Sequence, residues 1–212
     1  AIDTAGPVIG VGLATPSGTF TCTERIQRGA DARLIPWVHA LIDEARIKMS
    51  DVSGISVAFG PGSFTGLRVG MAAGMGLSQA RDIPIWGAPS WLHRAHAVHK
   101  TSALVLMDAR KGRVYAAHIQ SGELSRGPID AEPQRVMEWA LPAGTYVTGE
   151  GATVYKDLVS SHGFAVVDDP SAPAVGVLAE LGVQAFQAGA NGRAFALRPQ
   201  YIRDADAKKP KK

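Results

Sequence analysis

The chain has 212 residues, 46% of them hydrophobic and 19% charged, with a mean hydropathy of +0.03. That balance excludes a disordered, collagen-like or coiled-coil polymer and suffices for one sizeable domain or two small ones. The formal net charge is +3, of which four lysines against two aspartates in residues 204–212 supply +2, so the body is near neutral and argues against a nucleic-acid groove. Those last residues read as a solvated, flexible tail. Every apolar window is broken well short of the roughly 18 residues that a membrane-crossing helix needs. The start, Ala1 to Ala5, lacks the basic end and apolar core of a signal peptide, so a cytoplasmic protein is expected. A single cysteine, Cys22, excludes an intramolecular disulfide and argues against a cysteine metal site.

In chain order, Ala1–Thr4 and the small-residue run Val8–Ala14 read as strands. A Pro16-Ser17-Gly18 turn then returns the chain through Thr19–Thr23. Apolar residues Leu34, Val38, Leu41, Ile42 and Ala45 recur at helical spacing after Asp31, a candidate cap, with Pro36 expected either in the first turn or kinking the helix. Ile55–Phe59 is an apolar strand running into Gly60-Pro61-Gly62-Ser63-Phe64-Thr65-Gly66 and a helix to about Arg81. A short strand at 83–87 and a helix from Ser90 to Val98 follow. The pattern restarts at Ala103–Ala109, a strand bearing Asp108 near its end, then a turn at Gly112 and a returning strand at Val114–Ile119. The first half opens the same way, which suggests two related lobes. Helices at 133–140, 154–161 and 174–187 and strands at 145–148 and 164–167 complete an α/β chain with mixed sheets.

The Gly60–Gly66 turn is the most informative stretch. A strand, a glycine-rich turn and a helix can present backbone N–H groups to an anion. The turn is not a Walker A loop, because Leu67 follows Gly66, and its spacing does not match a dinucleotide fingerprint. The alternative is a tight turn allowed by Gly60 and Gly62 and a helix capped by Ser63 or Thr65. In the helix itself, Gly66, Gly70 and Gly74 recur every fourth residue, and each interior glycine costs about 1 kcal/mol of helix stability relative to alanine. A glycine stripe means that something approaches the backbone closely, either the protein's own sheet or a partner helix.

The other candidates are sparse. His93, His96 and His99 read as solvated helix residues without a ligand set. Ser63 and Ser90 lack a nucleophile motif. Asp3 and Asp108 have two readings: carboxylates holding a metal-bound nucleotide between lobes, or turn residues accepting backbone N–H bonds. With Gly60 and Gly62 they are the only candidate cofactor-binding residues; no catalytic or metal-ligating set is expected.

Four stretches carry a resemblance across nearly the whole chain: Ala1-Ile2-Asp3-Thr4, Gly60 through Gly70, Asp108-Ala109-Arg110-Lys111-Gly112-Arg113-Val114-Tyr115, and Pro199-Gln200-Tyr201-Ile202-Arg203. In this order they resemble the TsaB (YeaZ) family. The resemblance implies a two-lobed actin/Hsp70/sugar-kinase-like fold, with a first lobe at 1–102, a second at 103–203 and the tail at 204–212. It implies a non-catalytic scaffold for the paralogue TsaD, which places threonylcarbamoyl on a tRNA adenosine, with the TsaE ATPase as a further partner. The chain would then pair with itself when TsaD is absent, touch tRNA only through the complex, avoid membranes and carry no cofactor of its own, ATP and metal residing on TsaD. The implied contact surface joins the first long helix to the glycine-rich one through Leu41, Ala45, Gly66, Arg68, Gly70 and Gly74, with Asp43 and Glu44 on its rim. Gly29-Ala30-Asp31-Ala32-Arg33 departs from the family's His-Ser-Glu run before the first helix, and Gly149-Glu150-Gly151 is a poor adenosine loop. The competing reading is an autonomous ATPase or phosphotransferase built on Asp3, Asp108 and the Gly60 turn. A metallopeptidase fails for want of a histidine-rich motif.

Overall fold

A computed structural model describes residues 1–167 and 174–203. The tail expected at 204–212 lies outside the described residues. The first sheet contains β1 (Ile2–Asp3), β2 (Val8–Thr15), β3 (Gly18–Arg25), β4 (Ile55–Gly60) and β5 (Ile85–Pro89), in the order β3-β2-β1-β4-β5. The hairpin pairs antiparallel, whereas β1–β4 and β4–β5 are parallel. The second sheet repeats the plan. Its strands β6 (Ser102–Arg110), β7 (Arg113–Gln120), β8 (Glu123–Ala131), β9 (Tyr146–Thr148) and β10 (Ala165–Val166) run in the order β10-β9-β6-β7-β8. Again the strands in the β6-β7-β8 meander are antiparallel and the later two are parallel. The echo in the sequence is therefore a repeated topology, and the fold is the mixed α/β, two-lobed architecture expected.

Alternation along the strands sets the layers. In the first sheet Ile9, Val11, Ile55 and Val57 face α1 (Ala30–Glu44) and α2 (Phe64–Arg81), meeting Leu34, Leu41 and Met71. On the opposite face Gly12 admits the Val175 carbonyl at the start of α7 (Val175–Gln187), Ser56 donates to the Leu178 carbonyl, and Ala58 packs on Leu178. In the second sheet Leu104 and Leu106 face α4 (Pro133–Met137), α5 (Glu150–Val154) and α6 (Lys156–Ser161). Ala103, Val105 and Met107 face the other way, onto Trp91 and Ala95 of α3 (Ser90–His96) and Leu67 of α2, so an apolar layer joins the lobes.

Several expectations change. The N-cap of α1 is Gly29 at φ 82 rather than Asp31, and Pro36 lies in the second turn. The helix expected at 154–161 begins at Lys156 as α6, and a separate short helix, α5, occupies Glu150–Val154, part of which the sequence reads as a loop. β8 had not been expected: its exposed, charged residues and internal Gly127-Pro128 are what an edge strand tolerates, and they leave no alternating pattern. Residues 174–200 pack on the first lobe and not the second: α7 covers the first sheet, the Ile85 amide donates to the Gly192 carbonyl, and the Gln200 amide donates to the Phe59 carbonyl. No described helix is long and apolar enough to cross a membrane.

Candidate functional site

Of the four candidate cofactor residues only Gly62 and Asp108 border one cleft; Asp3 and Gly60 do not line it. Asp3, at the end of β1, is fully buried. One carboxylate oxygen accepts from the Ala5 amide at 2.7 Å, the other from Arg94 Nη1 at 2.7 Å, and His93 Nε2 lies 2.7 Å from that same second oxygen. Arg94 also donates to the Ser90 carbonyl at 2.6 Å and grips Glu150 with Nη2 at 2.8 Å and Nε at 3.3 Å, a two-pronged charge-assisted contact. Burial alone would raise the Asp3 pKa; the Arg94 charge, His93 and the Ala5 N–H together hold it well below the usual carboxylate range. A metal cation reaching Asp3 would have to displace a guanidinium, so this carboxylate does not fit the cation-holding role.

His93 corrects another expectation: it is buried, not solvated. Burial pushes its pKa down despite the opposing pull of Asp3, so the ring is neutral. Asp3 can only accept, which places the ring proton on Nε2 and leaves the buried Nδ1 without a partner. The local sequence did carry a signal. Trp91, Arg94 and Ala95 form one buried stripe of α3, and a cation on such a stripe requires a buried counter-charge.

Asp108 adopts the turn reading: its carboxylate accepts from the Arg110 amide at 2.8 Å. It borders an inter-lobe cleft of about 390 Å³ together with Gly62, Ser63, Thr65, Arg110 and Tyr201. Gly60 serves packing. At φ +126 it fits only glycine, its amide is taken by Ser90 Oγ at 3.1 Å, and a Cβ would meet the Gln200 carbonyl. Around the turn, Ser63 N donates to the Ala5 carbonyl and Gly66 N to Ser63 Oγ, which caps α2; these amides serve the fold and not an anion.

Ser102, His118 and Thr145 form a second buried polar group that the sequence did not reveal. Thr145 gives its proton to the Pro142 carbonyl at 2.7 Å, so Ser102 must donate to Thr145 at 2.6 Å and accept from His118 Nε2 at 2.9 Å. The serine proton points away from the histidine, the reverse of an activated nucleophile. Among the described residues no cluster of three His, Cys, Asp or Glu is placed to hold a metal.

The glycine stripe resolves toward the protein's own sheet. A Cβ on Gly66 would strike the Thr4 carbonyl, one on Gly70 the Thr4 hydroxyl, and one on Gly74 the Val57 side chain. The absence of side chains lets α2 settle onto β1 and β4, where Thr4 Oγ1 donates to the Gly66 carbonyl at 2.6 Å. The expectation that Gly66, Gly70 and Gly74 meet a partner helix is thus corrected. Leu41 is also core, at 1% exposure, and Ala45 is the half-buried C-cap of α1. Arg68 is exposed, but its guanidinium stacks 3.8 Å over the Phe64 ring and donates to Tyr201 Oη at 3.0 Å. Other residues are open: the exposed positions include Ile35, His39 and Ala40 on α1, and Ala72, Gly76 and Gln79 at helical spacing on α2. A Cβ at Gly76 would meet nothing within 4 Å.

A family model described as TsaD: tRNA N6-adenosine threonylcarbamoyltransferase matches residues 24–211. The chain is 26% identical to the tRNA threonylcarbamoyladenosine biosynthesis protein TsaB of Escherichia coli, with 96% of this chain and 94% of that protein covered. Identity to the TsaB of Bacillus subtilis is 29%, over 98% of this chain and 94% of the relative. An uncharacterized protein of Mycobacterium leprae is 37% identical over 74% of this chain, but the match spans only 44% of that longer relative. Two structures from Pseudomonas aeruginosa superpose, each at 25% identity. One, described as similar to the peptidase YeaZ, gives a TM-score of 0.80 with 95% of this chain and 97% of that chain covered; the other, YeaZ itself, gives 0.76 with 94% and 98%. The chain belongs to the TsaD family, in its TsaB/YeaZ branch.

Proposed function

We propose that this chain is a non-catalytic partner of a TsaD-type transferase in forming threonylcarbamoyladenosine on tRNA. The observation that carries this reading is Asp3. The carboxylate that an autonomous ATPase or phosphotransferase would aim at a metal-bound nucleotide is sealed under Arg94 and His93. Asp108 is engaged by its own turn, and Ser102 is not activated by His118. The names of the TsaB relatives support a place in this modification. On this reading ATP and metal reside on the transferase, the TsaE ATPase joins the assembly, tRNA is met only through the complex, and the setting is the cytoplasm.

The partner docks on the exposed residues of α1 and α2, around Ile35, Ala40, Ala72 and Gly76, where small side chains allow close approach of another helix. Without the transferase, two copies of this chain pair over the same residues. The purified chain alone should turn over no ATP. Mixed with its TsaD-type partner, TsaE, ATP, tRNA and a threonylcarbamoyl donor, it should support modification that fails when it is omitted. ATP turnover by the lone chain that is lost in Asp3→Asn would overturn the reading.

A further inference from the structure

Two ties cross from one lobe to the other at separate places, and neither is accounted for by docking. The first lies inside the interface. Asp3 and Arg94 belong to the first lobe, Glu150 opens α5 in the second, and the Arg94 guanidinium is shared between the two carboxylates with all three side chains at most 5% exposed. The first lobe's Gly6 leaves room for Glu150, since a Cβ there would lie 2.5 Å from Glu150 Oε1. Opening the lobes here would leave the buried Glu150 carboxylate without its partner and Arg94 with Asp3 alone.

The second tie runs along the rim of the cleft. The Gln200 amide holds the segment after α7 to the Phe59 carbonyl of β4 at 2.8 Å, and Tyr201 packs on Phe64 of α2 at 5.0 Å between ring centres. Two residues later Arg203 donates to the Ala109 carbonyl of β6 at 2.9 Å and lies 3.7 Å from Asp130 of β8. Residues 200–203 therefore strap the first lobe to the second across the cleft. Between the two ties lies the apolar layer of Leu67, Trp91, Ala95, Val105 and Met107. Apolar contact holds surfaces together without fixing their angle, because it is non-directional; the ion bridge and the strap are directional.

We propose that the Asp3–Arg94–Glu150 bridge and the Gln200–Arg203 strap form a two-point clamp that fixes the angle between the lobes, so that the chain itself, and not a ligand, sets the width of the cleft. The test places spin labels on the full chain at two exposed sites, Gln27→Cys in the first lobe and Glu123→Cys in the second, with Cys22→Ser. The clamped protein should give one narrow distance distribution, unchanged by saturating Mg–ATP. Glu150→Gln, which keeps the side-chain shape but removes the charge, and Arg203→Ala should each broaden it, and the double variant more than either. Circular dichroism confirms that each variant is folded. If Glu150→Gln does not fold, Arg203→Ala carries the test, since its side chain is partly exposed. A shift of the parent distribution with Mg–ATP, or a distribution as narrow as the parent's in a folded variant lacking either tie, would overturn the clamp.

Discussion

Gly74 and Gly76 sit two residues apart in α2 and should respond oppositely to the same substitution. Alanine improves a helix interior over glycine by about 1 kcal/mol at either site. At Gly76 the new methyl meets nothing within 4 Å, so Gly76→Ala should gain most of that amount. At Gly74 the methyl would strike Val57 Cγ1 and lie 3.4 Å from Ile55 Cγ2 and 3.6 Å from Ile85 Cδ1. Val57 is fully buried and cannot swing aside, so overpacking should cost ~1–3 kcal/mol and cancel or exceed the helix gain. A gap of about 2 kcal/mol between the variants corresponds to about 4–8 °C in melting temperature for a chain of this size. Thermal unfolding of both, at a concentration where each runs as a monomer, reads the gap directly. Equal melting temperatures would refute the placement of the glycine stripe against β4.

Acid should weaken the fold in two stages. His93 and His118 are held neutral by burial below their ordinary 6.5, so the unfolded chain takes up protons first and stability falls as pH drops below about 6.5. Asp3 is depressed, so its contribution is present above about 4 and fades as pH falls below that value. Urea midpoints that stay flat from pH 7 to 5 would contradict the first stage, and His93→Gln, which cannot titrate, should shrink it. Gly62→Ala should cost ~1–3 kcal/mol, because its Cβ would lie 2.6 Å from the Ala5 carbonyl, a backbone atom that cannot yield. Ser102→Ala should leave tRNA modification in the reconstituted system unchanged while costing about 1 kcal/mol in denaturant unfolding, since the hydroxyl relays buried hydrogen bonds and performs no chemistry.

Much of the frame was legible because it is local. The Asp-bearing strands and their hairpins announce the start of each lobe, and the long apolar helices declare themselves by period. The glycine stripe was equally visible, but its direction was not: spacing shows that something comes close to Gly66, Gly70 and Gly74, and only the packed sheet shows that it is Thr4 and Val57. β8 escaped because an edge strand need not alternate. The polar core was least legible, since Asp3, Arg94 and Glu150 are separated by 91 and 56 residues and no local pattern links them. The return of residues 192–200 to the first sheet rests on backbone bonds and on the packing of Ala194 and Leu197, too few apolar residues to show a period.

The central claim is that the exposed residues of α1 and α2 bind a TsaD-type partner while the chain itself performs no chemistry. Gly76→Arg tests it most directly, because the site is exposed and unobstructed, so the fold should survive. In a calorimetric titration against the TsaD-type partner, the parent chain should bind and a folded Gly76→Arg variant should show no measurable heat of association. Binding of the variant as tight as that of the parent would contradict the account.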